Sequence, residues 1–485
     1  MRALAAAAAA VLATAAEGLW APGAPGAVET RETRRVDAPR VVGMAMTRAT
    51  VSNPLRRDRL RRRATVTAGL DNEETLYFVN ASLGTPPQTV RLHLDTGSSD
   101  LWVNTPGSRL CQLRAQPCVF AGTYAANSSS TYRYVGSYFN ISYVDGSGAS
   151  GDYVSDSFSL GATRLERLQF GIGYTSSSAQ GILGIGYEMN EVQVGRAGLP
   201  PYRNLPSQMV ADGLIASNSF SLWLNDLDAS TGNILFGGVD SARYVGPLAT
   251  LPVQSDGGSV SEFLITLTGL TLGDQTVAAN KALAVLLDSG SSLTYLPDDV
   301  AQAIYTTVGA TFDAGQGAAY VPCSLAAQKT DLTFTFSGPS ITVGMDELVL
   351  ELVTNSGRRP TFQDGREACL FGIAPAGAGT HVLGDTFLRS AYVVYDLDNN
   401  QISLAQTNFN ATQTRVREIG RGPDAVPDAV RVANAATATE GLSHRSSGSN
   451  GLGSASAASP AAAPGTLGRL GALAVAAVIS IVLVL

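Results

Sequence analysis

Two eight-residue stretches of this 485-residue chain carry the residue types suited to acid–base chemistry. Leu92-His93-Leu94-Asp95-Thr96-Gly97-Ser98-Ser99 recurs 193 residues later as Val285-Leu286-Leu287-Asp288-Ser289-Gly290-Ser291-Ser292. Each is an apolar run that delivers an Asp into a tight turn. Gly there permits close approach of another backbone, and the hydroxyl residues can hydrogen-bond beside the carboxylate. Each copy also has a later partner, Ile182-Leu183-Gly184 for the first and Val382-Leu383-Gly384 for the second. These short apolar runs end in Gly, so a second strand can pass close to each loop. One Asp-Thr-Gly is an ordinary turn. Two copies in matching contexts, each with its own Gly partner, are a catalytic signal.

Duplicated half-domains that each present one Asp can bring the two carboxylates face to face. Like charges about 3 Å apart cannot both ionise, so such a pair holds one proton over the acidic range and titrates as a unit. The ionised partner then takes a proton from water while the protonated one polarises a substrate carbonyl. Other chemistries fail on inventory. The three histidines (His93, His381, His444) form no H-E-x-x-H pair, so no metal set is expected. There is no G-x-S-x-G elbow and no phosphate-cradling G-x-x-x-x-G-K-[ST] loop. No cofactor is expected, and nucleic acid is not an expected partner.

The elements that must position the pair are strands. Gly numbers 51, charged residues are only 15%, and Ser/Thr/Val/Leu runs abound. The expectation is an all-β, bilobal architecture with a central cleft, with lobes over 64–242 and 243–412 and a polar connection near Asp240–Gly246. Helices are expected over Pro206–Ile215 and Asp298–Val308, the second because Pro297 and two acids suit a helix start.

The ends point outside the cell. Residues 1–16 read as a signal peptide: Arg2, an apolar Ala/Leu/Val run, then small residues. Residues 17–63 hold eleven arginines against five acids and end in Arg61-Arg62-Arg63, whereas the whole chain is at −7. This reads as a basic pro-segment held partly by charge, with the polybasic site as the expected point of cleavage. Beyond Thr412 the composition turns Ala/Ser/Gly-rich without aromatics, so residues 413–455 read as a disordered stalk. Residues 456–485 close on an apolar run from Leu470, the order of a glycolipid (GPI) anchor signal; a short transmembrane anchor is the rival. Pairing within each half, Cys111 with Cys118 and Cys323 with Cys369, is the economical choice among three connectivities. Sequons at Asn80, Asn127, Asn140 and Asn410 fit the same compartment.

Tyr77-Phe78 through Leu83-Gly84-Thr85-Pro86-Pro87-Gln88, followed by Asp95 to Trp102, resemble the opening of pepsin-like aspartic proteases. Leu383-Gly384-Asp385-Thr386-Phe387-Leu388-Arg389-Ser390-Ala391-Tyr392 resembles their closing motif. The resemblance extends over residues 74–408 and is nearest the candidapepsin and yapsin groups of fungal secreted proteases. It implies an acid endopeptidase, a monomer, that acts on proteins and peptides and is blocked by pepstatin-type inhibitors. It also implies that Thr96 and Ser289 brace the two loops and that Ser98 and Ser291 hydrogen-bond the dyad. Ile141 to Ser147 resembles the flap, with Tyr143 as the flap tyrosine, Asp145-Gly146 as its turn, Ser147 closing it and Trp102 as the indole that Tyr143 contacts. Asp145 stands where related fungal enzymes have an acid associated with accepting Lys or Arg. Two positions depart from the pattern: Ser289 replaces Thr and keeps the hydroxyl, and Val144 replaces the glycine usual after the flap tyrosine. The competing reading is a non-catalytic surface glycoprotein that binds peptides in a pepsin fold.

Overall fold

The computed structural model describes residues 39–52, 73–143, 147–229, 231–353 and 358–442. The signal peptide, most of the pro-segment, Val144, Asp145, Gly146 and the anchor signal therefore lie outside the described residues. All the elements below belong to one compact unit that begins at Pro39.

The apolar run Val285-Leu286-Leu287 has no polar alternation, which suits a strand covered on both faces. Leu283–Leu287 is such a strand, buried at every position. Its neighbours repeat those of the first Asp strand, Gln88–Asp95. In the first half the order is Glu73–Leu83, Gln88–Asp95, Gly181–Gly184, Leu101–Asn104, Thr163–Ser176. In the second half it is Leu264–Leu267, Leu283–Leu287, Val382–Leu383, Thr294–Leu296, Ile373–Pro375. In both, the Asp strand runs antiparallel to the first neighbour and parallel to the Gly-ending one. The duplication seen in the residues is thus a duplication of topology.

The halves share one sheet of fourteen strands. Ser219–Trp223 from the first half pairs with Ala391–Asp396 from the second, Leu222 opposite Val393. The strand Val42–Ser52 sits in the middle of this sheet, between Thr231–Phe236 and Glu73–Leu83. It comes from the segment read as basic pro-segment, so the boundary drawn at residue 64 does not coincide with the edge of the fold.

Asp298–Val308 is a helix with the expected bounds, ended by Gly309 at φ 68°. The other expected helix is shorter, Leu205–Ala211, because the chain turns at Asp212 and Gly213 takes φ 72°. The stalk reading requires a larger correction. Residues 413–442 are folded onto the body: Val416–Glu418 pairs with Gly238–Asp240, and Val430–Arg431 pairs with Tyr244–Pro252. Ile419, Val426 and Ala438 are buried. A segment poor in aromatics can dock this way because most of its attachment is main-chain hydrogen bonding, which composition does not register.

Candidate active site

The two Asp loops meet through a reciprocal hydrogen-bond lattice. Thr96 Oγ1 donates to the Leu287 carbonyl at 2.8 Å and accepts the Ser289 N–H at 3.0 Å. Symmetrically, Ser289 Oγ donates to the Leu94 carbonyl at 3.1 Å and accepts the Thr96 N–H at 3.2 Å. Each hydroxyl therefore bridges two backbone groups of the opposite loop. The Ser at 289 makes both bonds that a Thr would make, since the missing methyl takes no part. Both residues are buried, so these bonds work in a medium where losing them would leave backbone groups unpaired.

Each loop also grips its own carboxylate. Asp95 Oδ1 accepts the Gly97 N–H at 2.8 Å and Oδ2 accepts the Ser98 hydroxyl at 2.6 Å. Asp288 Oδ1 accepts the Gly290 N–H at 2.7 Å and Oδ2 accepts the Ser291 hydroxyl at 2.7 Å. The glycines face the opposite carboxylates: a Cβ on Gly97 would lie 2.6 Å from Asp288 Oδ1, and one on Gly290 would collide with Asp95 Oδ1. The two Oδ1 atoms thus point inward across the pair, and only Gly leaves room for them. Behind each loop the Gly-ending strand passes as close as the sequence implies. A Cβ on Gly184 would meet the Asp100 and Ser99 N–H groups at 2.6 and 2.7 Å, and one on Gly384 would strike the Ser291 and Leu293 carbonyls.

Strands Arg133–Ser142 and Gly148–Leu160 form the hairpin read as the flap, closed by the Tyr143 N–H donating to the Ser147 carbonyl at 2.8 Å. Trp102 Nε1–H donates to the Tyr143 hydroxyl at 2.7 Å. That bond draws the hairpin toward the strand that leaves the first Asp loop. The turn itself, with Asp145 and Gly146, lies outside the described residues.

Beneath the hairpin is a cluster that sequence reasoning missed. Asp100 is 1% exposed. Its Oδ1 accepts the Tyr153 and Tyr202 hydroxyls at 2.5 and 2.9 Å, and its Oδ2 accepts the Val192 N–H at 2.9 Å. Tyr153 packs edge-on against Phe139 of the hairpin and against Tyr202. Glu191 lies beside them, its Oε2 accepting the Tyr202 N–H at 2.8 Å. Burial raises the Asp100 carboxyl above the ordinary range and pushes Glu191 up to about 10. Asp100 follows the first Asp motif directly, a usable signal. Glu191 and Tyr202 become visible only once the chain folds back.

Disulfides join Cys111 to Cys118 and Cys323 to Cys369, the within-half pairing. Asn80, Asn127, Asn140 and Asn410 are all exposed. Among the described residues no three His, Cys, Asp or Glu side chains converge to hold a metal ion.

The model of the eukaryotic aspartyl protease family matches residues 76–407. A probable aspartic-type endopeptidase opsB of Aspergillus oryzae is 56% identical, over 83% of this chain and 84% of that protein. Secreted aspartic protease 8 of Candida albicans is 36% identical, over 73% of this chain and 81% of that protein. The crystal structure of an aspartic proteinase from Irpex lacteus shares the fold with a TM-score of 0.58 at 21% identity, covering 77% of this chain and all of that one. The chain belongs to the eukaryotic aspartyl protease family and is an aspartic-type endopeptidase with the bilobal pepsin-like fold. The likeness to the candidapepsin group read from the motifs agrees with these relatives.

Proposed function

We propose that the chain is a secreted, surface-anchored endopeptidase that cuts peptide bonds in acid, with Asp95 and Asp288 as the catalytic residues. The observation that carries this reading is the reciprocal lattice through Thr96 and Ser289, which fixes the two loops so that their carboxylates face inward. Water held between them loses a proton to the ionised carboxylate and attacks the peptide carbonyl carbon. The other carboxyl gives its proton to the carbonyl oxygen, producing a neutral tetrahedral diol. Collapse returns one hydroxyl proton to a carboxylate, delivers a proton to the amide nitrogen and breaks the C–N bond. Gly97 and Gly290 N–H groups and the Ser98 and Ser291 hydroxyls hold the carboxylates without reorganising during the step.

Secretion is supported by the apolar leader and by the likeness to a secreted aspartic protease of Candida albicans. Anchoring rests on the order of the C-terminal residues. A preference for Lys or Arg substrates rests on Asp145 at the flap turn, where a carboxylate can pair with a cationic side chain. The test is cleavage of a mixed peptide library at about pH 4 by the processed full chain, with and without pepstatin. Asp95→Asn and Asp288→Asn serve as controls, and Asp145→Ala tests the preference. Pepstatin-sensitive cleavage absent from both Asn variants is expected. Cleavage retained in either one sinks the dyad assignment, and an unchanged Lys/Arg preference in Asp145→Ala removes the pocket role.

A further inference from the structure

Residues 413–442 form a strap that begins on the first half of the molecule and ends on the strand that delivers Asp288. At its start the Arg415 N–H donates to Asp240 Oδ1 at 2.6 Å and the Ile419 N–H to the Gly237 carbonyl at 2.8 Å. Ile419 and Val426 then complete an apolar cluster with Trp223, Val239 and Tyr392 on the shared sheet. Further on, the Val432 N–H donates to the Thr250 carbonyl at 2.9 Å, Ala436 N–H to Ser337 Oγ at 2.9 Å and Ala438 N–H to Gln254 Oε1 at 2.9 Å.

The tip of the strap completes the edge of the Asp288 strand. The C-terminal part of that edge is paired within the second half: Leu286 N–H donates to the His381 carbonyl at 2.9 Å, and Asp288 N–H to the Leu383 carbonyl at 3.2 Å. Its N-terminal part is paired by the strap alone among the described residues. Thr439 and Glu440 N–H groups donate to the Ala282 carbonyl at 2.8 and 3.0 Å, and the Ala284 N–H donates to the Glu440 carbonyl at 2.8 Å. Gly441, at φ +77°, lets the chain leave against the His381 ring, where a Cβ would lie 2.7 Å from Nδ1.

The other half contains an internal comparison. Ala284 stands four residues before Asp288. Four residues before Asp95 stands Arg91, and its N–H donates to the Ala121 carbonyl, also at 2.8 Å. Both catalytic strands thus receive one foreign carbonyl at the same position. In the first half a loop just past Cys118 supplies it, and in the second half the C-terminal strap does. We infer that the strap tip, Ala438 to Gly441, is a positioning element for Asp288, the counterpart of the Ala121 loop for Asp95. This rests on the reading of Asp288 as catalytic.

The test uses the full chain in three variants. Gly441→Val drives the tip off His381, Gln254→Leu removes the side-chain tether of Ala438 together with the Gln254 Nε2–H bond to the Pro252 carbonyl, and Ile419→Ala weakens the strap at its far end. A positioning role predicts that Gly441→Val lowers kcat about tenfold to a hundredfold with KM little changed. It also predicts an altered pH–kcat profile and a smaller effect of the same kind in Gln254→Leu. Ile419→Ala is expected to lower Tm while leaving kcat and the profile as in the parent. Amide hydrogen exchange across residues 284–291 gives a readout independent of turnover, and loss of protection there in Gly441→Val and Gln254→Leu is expected. If protection, kcat and the pH profile stay at parental values while Tm falls, the tip is only a stabilising clamp and the inference is overturned. A parent that fails to cleave at all would instead remove the catalytic reading, leaving exchange to decide whether the tip sets the strand.

Discussion

Glu191→Gln tests whether one buried carboxyl ties the stability of this fold to pH. The carboxyl is 1% exposed, Oε2 accepts the Tyr202 N–H, and Oε1 has no hydrogen-bond partner among the described residues. Burial, helped by the nearby Asp100 charge, pushes its pKa from an ordinary 4.5 up to about 10. Between those values the folded chain holds a proton that the unfolded chain has released. Stability is therefore fully present below pH 4.5 and falls as pH rises, by about 1.36 kcal/mol per pH unit at most. From pH 4.5 to 7 the loss is about 3 kcal/mol, against a typical net stability of roughly 5–15 kcal/mol. Gln keeps an acceptor for the Tyr202 N–H and removes the titration. Urea unfolding at pH 4 should then give the same stability for both proteins within about 0.5 kcal/mol. At pH 7 the variant should be more stable by about 3 kcal/mol. Parallel loss of stability in parent and variant between pH 4 and 7 would refute the reasoning. Asp100, raised by burial as well, acts with the same sign.

Three further outcomes follow from the dyad and its frame. Gly97→Ala places a methyl 2.6 Å from Asp288 Oδ1, so kcat should fall by about a hundredfold or more with the fold intact by circular dichroism; near-parental kcat contradicts the facing geometry. Ser289→Thr should match the parent, whereas Ser289→Val unpairs the Thr96 N–H and the Leu94 carbonyl. That should cost about 1–3 kcal/mol per group in urea unfolding, and equal stability of the Val and Thr forms would show the lattice to be dispensable. Replacing Cys323 and Cys369 by Ser opens a loop of sequence separation 46 and should cost about 4 kcal/mol. The same change at Cys111 and Cys118, separation 7, should cost about 2 kcal/mol, and the opposite ranking would argue against a chain-entropy origin.

What is legible in one dimension is what repeats or has a local geometric need. The Asp loops and their Gly-ending partners are readable because each demands a particular residue type within a few positions, whereas the Tyr143–Trp102 pair, 41 residues apart, is implied by the family resemblance alone. Gly184 and Gly384 are glycines because backbone atoms fill the space of a Cβ. The helix over Asp298–Val308 is readable from Pro297 and its two acids, while the one at Leu205 stops early because Gly213 turns the chain. The Asp100–Glu191 cluster joins residues 91 positions apart, and neither carries a mark of burial in its neighbours.

The strap was illegible for a different reason. It has no aromatic residue and its composition matches a solvated linker, yet many of the groups that dock it are carbonyls and amides that every residue possesses. The register it imposes depends on what it meets: the unpaired Ala282–Ala284 edge of an otherwise complete strand. That edge exists because Val382–Leu383 is only two residues long, whereas its counterpart in the first half, Gly181–Gly184, is four and is aided by the Ala121 loop. The same position of the repeat is therefore filled by a different segment in each half, the Ala121 loop for the Asp95 strand and the last described residues of the chain for the Asp288 strand.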